Sequence, residues 1–160
     1  MHGLMCLPFV YSNPQERHLN RDNISVALAE LKETLLLSNP IVCNLSASGL
    51  TLDCMPVLIA ELEPLKQVFA LDLLLNRIRA TWQELLPVVE SFLNGNVVQY
   101  LDLSMNYLPA LESLQKDTVL LNTYKAFAER LSFGMDGNPS THNKELDHWT
   151  KAARRFKREA

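Results

Sequence analysis

Asp72 and Asp102 occupy the same short phrase, LDL, at residues 71–73 and 101–103. Two carboxylates held side by side can work as an acid–base couple or bind a divalent cation, if a further ligand or a histidine completes the set. No such residue stands near either aspartate in the sequence. The histidines are His2, His18, His142 and His148; the last two are six apart, a spacing that does not align two metal ligands on one helix face. Cys6, Cys43 and Cys54 form no zinc-type pair, and their odd number does not suit a disulfide framework. They read as reduced, partly buried thiols, with Cys43 at a core position. Ser46, Ser48 and Ser104 lack the glycines of a nucleophile elbow, and neither a Walker loop nor a dinucleotide fingerprint is present. The residue types therefore assign no catalytic group, no metal site and no cofactor. The pair Asp72/Asp102 reads first as an acidic stripe on a binding surface, with a small metal-dependent hydrolase as the alternative.

The elements that would position these residues recur along the chain. LDLLLNRI (71–78) and LDLSMNYL (101–108) agree at both leucines, the aspartate, the asparagine and the closing apolar residue. CNLSASGL (43–50) keeps the apolar positions with Ser48 in place of the asparagine, and FGMDGNPS (133–140) keeps Phe133, Met135 and Asn138. From 43 to 71, 101 and 133 the steps are 28, 30 and 32 residues. Between the runs lie helical patterns at 51–63, 81–93 and 116–131, with Asp117 as a cap and with Pro56 and Pro87 assigned to helix starts or first turns. An earlier amphipathic helix spans 21–37 after the strand-like CLPFVY, and a last one falls at 142–160 with Leu146, Trp149, Ala153 and Phe156 on one side. Strands joined by single helices must run parallel.

At Val68, Leu71, Leu73, Asn76 and Ile78, and again at Val98, Leu101, Leu103, Asn106 and Leu108, the chain resembles a leucine-rich repeat of the ribonuclease-inhibitor type, LxxLxLxxNxL followed by a helix. The N-terminal run matches loosely, through Val10 and Asn13. The resemblance implies an α/β fold: a short right-handed leucine-rich-repeat solenoid, with parallel strands on the concave face and helices on the convex face. Residues 1–160 then form one domain, with a strand–helix cap at 1–40, repeats at 41–140 and a capping helix at 141–160. Asn76, Asn106 and Asn138 would form a structural asparagine ladder, each amide bonding backbone groups of the turns above and below.

Strand alternation points Leu71, Leu73, Leu101 and Leu103 inward. It places Val42, Asn44, Ala70, Asp72, Leu74, Tyr100, Asp102 and Ser104 on an open face. Asp72, Leu74, Tyr100, Asp102, Met105 and Tyr107, with Leu75 beside them, are the expected contacts to a protein partner of basic and apolar character. Proteins of this resemblance include inhibitors, scaffolds and effectors that bacteria deliver into host cells. The resemblance thus implies a non-enzymatic protein-interaction module, cytoplasmic or delivered to a host cytosol.

The totals agree with that class. The chain has 160 residues, 48% hydrophobic and 21% charged, with a formal net charge of −3. Such a charge gives no strong attraction to nucleic acid. The N-terminus lacks the basic start and cleavage site of a secretory signal, and no apolar run is long enough for stable membrane insertion. The final segment KAARRFKREA carries five Lys or Arg against one Glu. It reads as the capping helix, a contact to an acidic membrane surface or a targeting address.

Overall fold

Apolar residues recurring at two-residue spacing give way to three- and four-residue spacing after each short strand, and the backbone follows that change. The protein's computed structural model describes residues 9–13, 17–33, 40–95 and 97–132. The strands are β1 (Phe9–Ser12), β2 (Ile41–Asn44), β3 (Val68–Asp72), β4 (Tyr100–Asp102) and β5 (Leu131–Ser132). The helices are α1 (Ile24–Glu33), α2 (Met55–Leu62), α3 (Trp82–Leu93) and α4 (Thr118–Phe127), with short 3-10 turns at Leu52–Cys54, Leu111–Lys116 and Ala128–Arg130. The expected last helix at 142–160, the run 133–140 and Asn138 lie outside the described residues.

All strand pairs are parallel, and the order across the sheet is the order along the chain, β1 to β5. Consecutive helices pack on one another in the same sequence. One row of register partners, Tyr11, Cys43, Leu71, Leu101 and Leu131, crosses the whole sheet. It packs into one core with Leu28, Leu58, Val89 and Phe127 from the helices. Burying a side chain such as Phe92 or Leu58 contributes roughly 1.5–3 kcal/mol, which is how short strands hold their places.

Local chemistry fixes where the helices begin. Thr81 caps α3: its hydroxyl accepts from the Glu84 N–H while the Glu84 carboxylate accepts from the Thr81 N–H. Asp117 caps α4 by accepting from the Leu120 N–H. Glu61 ties α2 to α1, accepting from the Ser25 hydroxyl at 2.7 Å and from Lys32 at 3.3 Å. The Ser25 bond foremost, then Lys32, holds the Glu61 carboxyl below the ordinary range.

Three placements differ from the sequence reading. Tyr11, not Val10, takes the inward position of β1, and Val10 is exposed; a one-residue change of register exchanges the two faces. Leu131, rather than Phe133, stands beside Leu101, so the last step is 30 residues and not 32. Pro87 lies inside α3 beyond its first turn, where it faces solvent, and the helix continues past the missing N–H.

Candidate functional site

The strands end in a polar row. Ser12, Asn44, Asp72, Asp102 and Ser132 are lateral partners across the five strands. At the three central positions the side chain turns back on its own backbone. Asn44 Oδ1 accepts from the Ser46 N–H at 2.9 Å, Asp72 Oδ1 from the Leu74 N–H at 3.0 Å, and Asp102 Oδ1 from the Ser104 N–H at 2.9 Å. Each is an Asx turn, which uses a side-chain oxygen to satisfy an amide released from the ladder. An asparagine and two aspartates make the same bond, so its acceptor is what the turn requires and the negative charge is not.

Asp72 and Asp102 are therefore neighbours, as expected, but they are 3% and 4% exposed rather than open to solvent. Among the described residues no group of three or more His, Cys, Asp or Glu could hold a metal ion. The neighbouring thiol is no better suited to chemistry. Burial, and secondarily the Asp72 charge, pushes the Cys43 thiol well above its ordinary value. The nucleophile would be the thiolate, so Cys43 is held in its inert form.

Three residues beyond each inner leucine comes the amide bridge. Asn76 Oδ1 accepts from the Ser48 and Leu50 N–H groups at 3.0 and 2.9 Å, and its Nδ2 donates to the Leu45 and Leu73 carbonyls at 2.9 and 3.0 Å. Asn106 repeats the pattern one strand on: Oδ1 accepts from the Ile78 N–H, and Nδ2 donates to the Leu73 and Leu103 carbonyls. Both amides are buried and join one turn to the turn before it. Ser48 stands at the corresponding place before them. It receives a bond from Asn13 Nδ2 and gives one to the Ser46 carbonyl.

The apolar part of the expected surface divides into two. Tyr100 is 7% exposed and closes a second buried cluster with Val42, Phe69 and Ala70, its ring edge-on to Phe69 at 6.1 Å. The expectation that Tyr100, Val42 and Ala70 lie open is thus corrected. The register is irregular at Ile41/Val42, where β3 carries one more residue than β2. The extra residue, Phe69, joins Ala70 in the second cluster, apart from the main core.

What stays accessible lies past the strands, in the exit turns. Leu74 and Met105 are half-buried, Leu75 is 51% exposed and Tyr107 is 61% exposed. Leu75 and Met105 have φ of +58° and +62°, and Ala47 in the preceding turn has +51°. This left-handed conformation costs a residue with a Cβ roughly 1–2 kcal/mol. From Leu75 the chain alternates, with Asn76 and Ile78 buried and Leu75, Arg77 and Arg79 outward. The Arg79 guanidinium lies 5.3 Å from the centre of the Tyr107 ring. Beyond Tyr107 opens a cleft of about 420 Å³ lined by Trp82, Leu108, Pro109 and Leu120 among others. Arg77 and Arg79 were not singled out from the sequence, although their alternation with Asn76 and Ile78 carries the signal.

Among the described residues no helix is long and apolar enough to cross a membrane. No family model matches the chain, and neither a curated protein nor a solved structure matches it.

Proposed function

We propose that the chain is a short solenoid of the leucine-rich-repeat kind that serves as a non-enzymatic protein-binding module. The strand order, the step of 30 residues from Leu71 to Leu101 and again to Leu131, and the repeated asparagine bridge support the architecture. The binding surface is the rim of exit turns, Leu74, Leu75, Met105 and Tyr107, and not the carboxylate row. One observation carries this reading. Leu75 holds a large apolar side chain in solvent at a left-handed position that glycine or asparagine would occupy at lower cost. Strain kept at an exposed apolar residue favours a role outside the fold.

The test separates binding from stability. A Leu75→Asn/Tyr107→Ser variant is expected to unfold at a midpoint equal to or above that of the wild type, since Asn suits the left-handed turn. The same variant is expected to lose a partner that immobilised wild-type protein retains from lysate, read by mass spectrometry. Equal retention by both proteins would remove the rim as the binding surface.

A further inference from the structure

We infer that the exit-turn rim accepts an extended polypeptide segment bearing carboxylates between apolar side chains, with Arg77 and Arg79 meeting the carboxylates. The inference rests on the proposed protein-binding role and names the chemistry of the partner. It reverses the basic partner expected from the sequence, because the charges available at this surface have the opposite sign. The two aspartates that suggested a basic partner are buried and turned onto the Leu74 and Ser104 amides. Arg77 and Arg79 are exposed, and among the described residues neither forms an ion pair with a carboxylate. They stand on the outward side of the same strip as Leu75, one turn from Met105 and Tyr107.

The rest of the molecule sharpens the contrast. The whole chain is net negative, with 18 Asp and Glu against 15 Lys and Arg, so a positive spot with apolar flanks is a local feature. Charge complementarity at a rim steers association and excludes partners of the wrong sign. Planar guanidinium groups bind carboxylates in paired hydrogen bonds, and Arg79 is already held in place over Tyr107. Apolar side chains of the segment would cover Leu75 and Met105, and the cleft beside Tyr107 has room for one of them. Two arginines on a net-acidic chain fall short of the several phosphate contacts that nucleic-acid binding relies on, so a polypeptide is the occupant that fits.

Selection of random 12-residue peptides displayed on phage against the immobilised full chain tests this. Three proteins are run in parallel: wild type, Arg77→Glu/Arg79→Glu and Leu75→Asn/Tyr107→Ser. Wild type is expected to enrich peptides with Asp or Glu beside apolar residues. The selected peptides should bind the charge-reversed protein at least about tenfold more weakly, and raised salt should weaken their binding to wild type. Rim-dependent peptides without acidic enrichment, or unaffected by charge reversal, would overturn the acidic segment and leave the protein-binding surface standing. Peptides that bind all three proteins equally, or none selected, would overturn both. Labelled oligo-uridine and phosphatidylserine vesicles are run as controls. Binding of either one through the same arginines, in place of the peptides, would replace the polypeptide with a phosphate-bearing ligand.

Discussion

Asp102 separates a charge from an acceptor. Its Oδ1 satisfies the Ser104 amide, and Asn44 meets the same need two strands away with a neutral side chain. Asp102→Asn should therefore change stability by no more than about 1 kcal/mol, while Asp102→Ala leaves the turn amide without its acceptor and should cost about 1–3 kcal/mol. Urea unfolding of the two variants measures the difference. Equal losses from both would mean that the charge itself holds the turn. The residue scale was the most legible in the sequence for a simple reason. A repeated LDL places its aspartates in the same position of successive strands, and strand pairing in equal register makes them neighbours. Their burial was not legible, because strand alternation assigns a face to a side chain and not how far that face is covered.

At the level of elements, β1 is tied to α1 through one phenol. The Tyr11 hydroxyl donates to the Ala27 carbonyl in the middle of the helix. Burial first, then the Glu30 charge, with Arg17 opposing, pushes the Tyr11 phenol from 10.0 up to about 12. A raised value means that the folded state retains a proton which the unfolded chain releases. The stabilisation is fully present below about pH 10 and is lost as pH rises toward about 12. Thermal midpoints of the wild type should fall through that window, and those of Tyr11→Phe should fall less steeply. Parallel slopes would show that the phenol does not carry the alkaline loss.

Element boundaries followed the sequence where a side chain marks them, as Thr81 with Glu84 and Asp117 do. They departed from it where a count of one or two residues matters. Tyr11 replaced Val10 in the core, Leu131 replaced Phe133 beside Leu101, and Phe69 entered as an extra residue. Strand periodicity repeats every two residues, so a short run cannot by itself exclude a slip. Pairing with the neighbouring strand decides the register, and that partner is distant in the sequence.

On the scale of the whole molecule, turn is fastened to turn by buried amides, and the sheet grows one strand at a time in sequence order. Asn76 and Asn106 were legible from their constant distance to the inner leucines. The exit-turn rim was legible only in part. Leu75 and Tyr107 stood out as apolar residues beside a turn, but the positive φ at Leu75 and the outward alternation of Arg77 and Arg79 emerge from the three-dimensional path. That path depends on Asn76, which holds four backbone groups from two turns. The central claim is that these strand-end polar residues hold the turns and so present the rim. Equilibrium urea unfolding of Asn76→Ala tests it most directly. A loss of roughly 3 kcal/mol is expected, because two buried N–H groups and the Leu45 carbonyl lose their partner at once, while the Leu73 carbonyl keeps only Asn106. An unfolding curve that superimposes on the wild type would contradict the account.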